Sequence, residues 1–353
     1  MKLSRILIKI AAAPFALIYL AATCLRNHLF NIGYTRSFRF DTKVIAVGNL
    51  AAGGSGKTPM VEYILDLLLS HGIVPAALSR GYKRQTRGFR LAGAEDDAST
   101  IGDEPFQFYL KYREKAAIAV GEERALAIPS ILFERPETQA IVLDDAYQHR
   151  YVTPNLNILL TDYSRPFFKD SLLPLGRLRE SRRGAIRADA IVVTKCPMDI
   201  SQETMTTIEK AIRKYSRPDT PLFFSAIKYE KPRPVFPGSP HEFHKNILLA
   251  TGVANNKPLV EYAAERYNLI ETIAFPDHHR YTGKDLQMIM GKFEKAPFDK
   301  KTILTTEKDS VKMLNLQGND RLRGVSFYYL PIKTLFIKDG RIFDQILLDT
   351  IKN

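Results

Sequence analysis

Gly53, Gly54, Gly56, Lys57 and Thr58 fall within the run AAGGSGKT, a spacing suited to holding a polyphosphate. Glycines let successive backbone N–H groups curl around phosphate oxygens, Lys57 adds a point charge, and Thr58 offers a hydroxyl to Mg²⁺. The apolar run VIAVGNL before it reads as a buried strand, and KTPMVEYILDLLLSHG after it has helical spacing ended by Gly72. The loop would therefore open a helix, whose positive dipole end favours an anion. Ala51 departs from the pattern G-x-x-x-x-G-K-[ST] at its first glycine. A glycine turn that happens to precede Lys-Thr stays open as the alternative, and Ala51 suits a phosphate loop only with φ below zero.

The second candidate is AIVLDDAYQHR. Its apolar residues end in Asp144 and Asp145, which puts carboxylates at the C-terminal edge of a strand, where α/β sheets bind ligands. One of them can hold Mg²⁺. Adjacent side chains on an extended strand point oppositely, so the two share a task only if the backbone turns after Asp144. Asp103 and Glu104 of STIGDEPFQF precede a run with helical spacing, where capping is the bland reading. Asp277, His278 and His279 of FPDHHRYT suit proton transfer or support of a carboxylate base, with a polar turn as the alternative. Lys195 ends the strand-like VVTK and can lay its stem on a nucleotide base. Two basic stretches, SRGYKRQTRGFR and LLPLGRLRESRRGAIRADA, suit phosphates, anionic lipid headgroups or solvent.

Strand-like runs separated by helix-length intervals position these residues. They predict a mostly parallel α/β/α domain of the P-loop NTPase kind over residues 36–220. A proline- and charge-rich connection then leads into a smaller α/β domain over 221–353, whose last residues can return toward the region between the domains. Asp339-Gly340 reads as a hairpin turn, and a ligand cleft is expected between the domains. Residues 1–35 form a third segment. Lys2, Arg5 and Lys9 lead into an apolar run from Ile10 to Leu25. Those 16 residues of helix reach roughly 24 Å, short of a hydrocarbon core of roughly 30 Å, and Pro14 interrupts them. A membrane-associated helix fits this better than a clean crossing or a cleaved signal peptide.

The chain has 353 residues, a formal charge of +13 and two cysteines. The cysteines exclude a disulfide framework. The charge favours nucleic acid, an anionic membrane or a phosphorylated substrate. None of the usual small nucleic-acid-binding motifs is present, so no nucleic-acid partner is expected and no obligate protein partner is inferred.

Taken in order, VGNLAAGGSGKTP, LSRGYKRQTRG, GDEP, VLDDAYQHR, PLGRLRE, VVTK, TGVANN, FPDHHRY and TTEKDSVK resemble the tetraacyldisaccharide 4'-kinases, the lipid A kinases of Gram-negative bacteria. The resemblance implies transfer of the γ-phosphate of ATP to the 4'-hydroxyl of a tetraacyldisaccharide 1-phosphate, with Mg²⁺. It places the enzyme at the cytoplasmic face of the inner membrane, against an anionic surface, as a peripheral or monotopic protein. It makes Asp103 the catalytic base with His278 assisting, and Lys57 and Asp145 further members of the catalytic set. ATP would contact Ala51, Ala52, Gly53, Gly54, Ser55, Gly56, Lys57, Thr58 and Lys195. The metal would lie among Thr58, Asp144, Asp145 and Glu104, and the acceptor at Tyr82, Arg84, Arg87 and Arg179. The family's loop also begins with a residue other than glycine, so Ala51 does not count against a phosphate site.

Overall fold

The computed structural model describes residues 2–236, 242–322 and 324–352. Among them the larger sheet has nine strands, in the order Ile332–Lys338, Leu222–Tyr229, Ala190–Thr194, Leu156–Asp162, Lys43–Asn49, Ala140–Asp144, Pro75–Ser79, Ala117–Val120 and Arg90–Leu91. The two outermost strands run antiparallel to their neighbours and the rest are parallel. Parallel strands are covered on both faces, which is why Lys43–Asn49 and Ala140–Asp144 read as nearly unbroken apolar runs and are buried almost throughout. Register sets Val47 beside Asp144 and Ile158, so the glycine loop and the aspartates leave the sheet at the same edge. The central strand has later strands on both sides, which opens the crevice where doubly wound sheets bind ligands. The expected α/β/α architecture is the one observed.

A second sheet of five strands follows the order Asn268–Ala274, Asn246–Thr251, Thr302–Thr306, Ser326–Leu330 and Arg233–Pro234. The expected division at residue 221 differs from what the pairing shows. Leu222–Tyr229 and Ile332–Lys338 both belong to the larger sheet, so the smaller unit occupies the chain between them. Asp339-Gly340 is likewise no hairpin. Asp339 takes φ 58 and the helix Gly340–Lys352 follows at once. That helix buries Phe343 and Leu347 in the first core, and Tyr63 donates to Asp344 at 2.6 Å. Apolar spacing revealed the elements here but not which sheet would claim them.

The two units meet where the helix Asp103–Tyr112 lies against Glu307–Met313, with Ile101, Phe106 and Val311 forming a small shared core. A charged group is buried beside it. Glu62 accepts from Gln107 at 2.8 Å and from Lys111 at 2.6 Å, and Glu307 sits near enough to repel it. Burial first, and Glu62 second, push the Glu307 carboxyl up to about 7. A carboxyl raised in the folded state binds more protons there than in the unfolded chain. Stability is therefore greatest below the ordinary carboxylate range and falls as pH rises toward 7. Glu307→Gln should raise the midpoint of thermal unfolding relative to wild type at pH 8, by on the order of 3 kcal/mol of stability, and not at pH 4. Melting curves at the two pH values check this, and an equal effect at both would refute it.

Residues Lys2–Asn31 form one helix that continues through Pro14. The side chains of Lys2, Arg5, Lys9 and Ile10 lie outside the described residues. Among the described residues no helix is long and apolar enough to cross a membrane. Phe15, Leu17, Ile18 and Leu25 are each at least 60% exposed, whereas Ala16 and Phe30 are buried. The helix is tied to the larger unit by Tyr19, whose hydroxyl donates to the Arg179 carbonyl at 2.8 Å, and by Asn27, which donates to Glu180 at 2.9 Å.

Candidate active site

The glycine loop is braced on every side. Gly56 takes φ 79 immediately before the helix Lys57–Ser70, a conformation that costs any L side chain roughly 1–2 kcal/mol. Ala51 is not among the positive-φ residues; it forms an antiparallel bridge with Leu178, and Ala52 N–H donates to the Arg177 carbonyl at 2.8 Å. That extended pairing explains why no glycine is needed at the start of this loop. Asn49 donates to Ser55 Oγ at 2.7 Å, and Thr194 Oγ1 donates to the Ser55 carbonyl at 2.8 Å. Lys195 donates to the Gly54 carbonyl and pairs with Asp162 at 3.0 Å. Its ammonium is thus engaged with the loop itself. A crevice lined by Gly53, Gly54, Asp162, Arg165 and Arg177 opens alongside.

The two aspartates have separate environments. Asp144 ends its strand fully buried and accepts from Ser79 Oγ at 3.2 Å, while its Oδ1 has no hydrogen-bond partner. Burial, with Glu104 and then Asp145 adding to it, pushes the Asp144 carboxyl up to about 7. The backbone then turns, as Asp145 takes φ 48. Its carboxylate meets Lys57 Nζ at 3.6 Å and both oxygens accept from Arg179 at 3.0 Å. Burial opposes that charge, but Lys57 and Arg179 outweigh it and hold Asp145 below the usual carboxylate range. The turn carries the Asp145 carboxylate out of the strand direction to Lys57 and Arg179.

Asp103 opens its helix directly after Gly102, and no side chain caps that helix. The capping box belongs instead to Asp97 and Thr100 of the short helix before it. Asp103 is thereby free to face the second unit, where His278 Nδ1 lies 3.4 Å from Asp103 Oδ2. His278 has φ 58, in the tight turn after Asn268–Ala274, and its ring meets Tyr82 edge-on at 5.7 Å between centroids. His279 turns away, with Nε2 3.1 Å from Asp285 and its ring stacked on Phe275. The pair of adjacent histidines therefore splits between the site and the local fold.

The arginines also separate by role. Arg84, expected at the acceptor, has a 2% exposed side chain that donates to Glu122 at 2.6 Å and to the Gly88 carbonyl. Its Nη2 braces its own loop, while Nε and Nη1 have no hydrogen-bond partner. Arg87 remains exposed on the rim of the crevice formed with Arg80, Tyr82 and Lys83. Arg179 is committed to Asp145, and Arg187 is bidentate to Glu180 at 2.9 Å.

Sequence patterns did not single out Arg124, Gln148 or Glu180, nor Lys308 within TTEKDSVK. Arg124 is buried close to Asp144 and Asp145, and burial pushes its guanidinium down to about 10. Gln148 donates to the Asn49 carbonyl at 2.8 Å and to Glu180 at 3.0 Å, linking the loop to the basic segment. The signal in the sequence was the bare presence of polar residues beside the recognised motifs, which spacing alone does not rank.

Comparison with known proteins identifies the family. The family model described as "Tetraacyldisaccharide-1-P 4'-kinase" matches residues 8–352. The chain is 42% identical to a tetraacyldisaccharide 4'-kinase of Bacteroides thetaiotaomicron, with 96% of this chain and 92% of that one covered. It is 40% identical to that of Phocaeicola vulgatus, covering 96% and 94%, and 41% identical to that of Flavobacterium johnsoniae, covering 96% of each. Among solved structures, LpxK from Aquifex aeolicus in complex with ATP superposes with a TM-score of 0.74 at 25% identity, over 98% of this chain and 99% of that one. A full-length family match joined to a braced phosphate loop has one reading: the chain belongs to the tetraacyldisaccharide-1-P 4'-kinase family, as an ATP-dependent kinase of that disaccharide.

Proposed function

We propose that this kinase removes the acceptor's 4'-hydroxyl proton with Asp103, oriented by His278. It uses Mg²⁺ held by Asp144 with Thr58 and Glu104, and it works against an anionic membrane surface. Lys57 and the backbone of residues 51–56 hold the phosphates of ATP. Tyr82 and Arg87 lie toward the acceptor.

The observation that carries this reading is the Asp103–His278 contact at 3.4 Å, made between residues of the two units. A sugar hydroxyl is a weak acid, so a carboxylate within hydrogen-bond reach helps as its oxygen attacks phosphorus. As the O–P bond forms, the proton passes to Asp103 and the electron pair of the breaking bond leaves on the β-phosphate of ADP. Phosphoryl transfer depends chiefly on alignment and charge stabilisation. Lys57 and the helix N-terminus supply the charge, and closure of the second unit excludes water as a competing acceptor.

The residues fit a divalent cation. Asp144 has a buried oxygen without a partner, and its carboxyl is pushed up to about 7 by burial and by two neighbouring carboxylates, a field that a cation would relieve. No cluster of three or more His, Cys, Asp or Glu converges among the described residues. Mg²⁺ needs none, because it takes one or two carboxylates and completes its shell with phosphate and water. When bound, the ion would neutralise charge developing across the β- and γ-phosphates. The exposed apolar side chains of the N-terminal helix and the charge of +13 support the surface.

One incubation tests the reading: the disaccharide 1-phosphate in anionic phospholipid vesicles, ATP, and either Mg²⁺ or a chelator. The protein should sediment with the vesicles and yield, with Mg²⁺ only, a lipid heavier by one phosphate at the 4' position. ATP consumed without lipid product would refute the acceptor. Turnover in chelator would remove the metal, and protein left in the supernatant would remove the surface.

A further inference from the structure

Lys308 stands at the junction of both units and has no part in the reading above. It is the second residue of the helix Glu307–Met313, and its side chain is 25% exposed. Its Nζ lies 3.4 Å from His278 Nε2, 3.6 Å from Glu104 Oε1 and 3.8 Å from Asp277 Oδ1. Two of these partners belong to the smaller unit, and Glu104 belongs to the larger one. Lys308 thus joins two segments, Asp277-His278 of the smaller unit and Glu104 of the larger.

An ammonium has three donors and no acceptor. A hydrogen bond from Lys308 to His278 therefore requires the lone pair at Nε2. The single N–H of a neutral imidazole must then sit on Nδ1, the nitrogen facing Asp103 at 3.4 Å. That hydrogen points at Asp103 Oδ2 and leaves Oδ1 for the acceptor hydroxyl. Rotation of the ring would put Nε2 at the carboxylate and give up the Lys308 contact. Asp277 Oδ2, 3.9 Å from Nε2, would favour a proton there, but the Lys308 contact is shorter, so the lysine favours this tautomer and orientation.

We propose that Lys308 is a positioning residue for phosphoryl transfer, setting the His278 tautomer that donates to Asp103 and clasping the two units together through Glu104. The proposal rests on the reading of Asp103 as the base.

The test uses the full-length protein with ATP, Mg²⁺ and the purified disaccharide 1-phosphate, measuring kcat and the KM for ATP separately. Lys308→Ala should lower kcat roughly 10- to 100-fold and leave the KM for ATP within about threefold. Lys308→Arg keeps charged donors on a long stem and should recover most of the loss. Lys308→Met keeps the stem and drops the ammonium, so it should match the alanine variant; it also keeps the test open if the alanine variant folds poorly. Combining Lys308→Ala with His278→Ala should cost clearly less than the product of the two single losses, because the part of the Lys308 effect that runs through His278 is counted once. A normal kcat in both Lys308→Ala and Lys308→Met, no recovery in Lys308→Arg, or losses that multiply in the double variant would overturn the proposal. Asp103→Asn separates the two readings. Normal turnover in that variant removes the base, while the Lys308–His278 coupling is read independently from the double variant.

Discussion

Asp103→Asn should slow turnover about 10³-fold, some 4 kcal/mol of lost transition-state stabilisation, and leave ATP affinity within a few-fold of wild type. The amide has nearly the shape of the carboxylate, so helix Asp103–Tyr112 and its packing are undisturbed, and its oxygen can still accept from His278. What is lost is the basic oxygen that we propose takes the hydroxyl proton. The phosphate loop contains no contact to Asp103, which is why donor binding is spared. Steady-state kinetics with ATP titration checks both halves. Turnover within about tenfold of wild type would remove Asp103 as the base.

Lys57→Ala should behave differently, with ATP affinity and kcat falling together and kcat/KM down by roughly 10²- to 10³-fold. Lys57 supplies the point charge of the loop, and its loss reaches further than the phosphates. It pairs with Asp145 at 3.6 Å and helps to hold that carboxyl low; it also lowers Asp144 against the effect of burial. Without it, Asp144 moves further toward the protonated form, and a protonated carboxyl is a poor ligand for Mg²⁺. Raising Mg²⁺ should recover part of the loss, which the same substitution at an isolated phosphate contact would not show. Titrations of ATP and Mg²⁺ on the variant decide this.

Much of the frame was legible in the chain. The run from Val44 to Ile64 encodes strand, loop and helix by apolar spacing and glycine placement alone, because those signals are local. The parallel sheet followed from apolar strands at helix-length intervals, and the apolar N-terminal run from its composition. The unit boundary was not legible. Leu222–Tyr229 and Ile332–Lys338 are far apart in sequence and pair with each other, and no local pattern states which sheet a strand will join. Asp339-Gly340 misled for the same reason, since a left-handed residue serves a strand-to-helix turn as readily as a hairpin.

At the candidate site, residue type identified groups that tertiary structure then sorted. The sequence by itself determined that a phosphate loop, strand-end carboxylates, an Asp-His-His cluster and two basic stretches exist. Residue type and spacing bounded the chemistry of each, and the roles of Asp103 and His278 came from the family resemblance. Only the fold decided that His278 meets Asp103 while His279 stacks on Phe275, and that Arg84 turns inward onto Glu122 while Arg87 stays exposed. It alone brought Lys308 to His278 and Glu104. The physical reason is that orientation depends on contacts between segments far apart in the chain: Asp103 and His278 are 175 residues apart, and their meeting is a property of how two sheets pack.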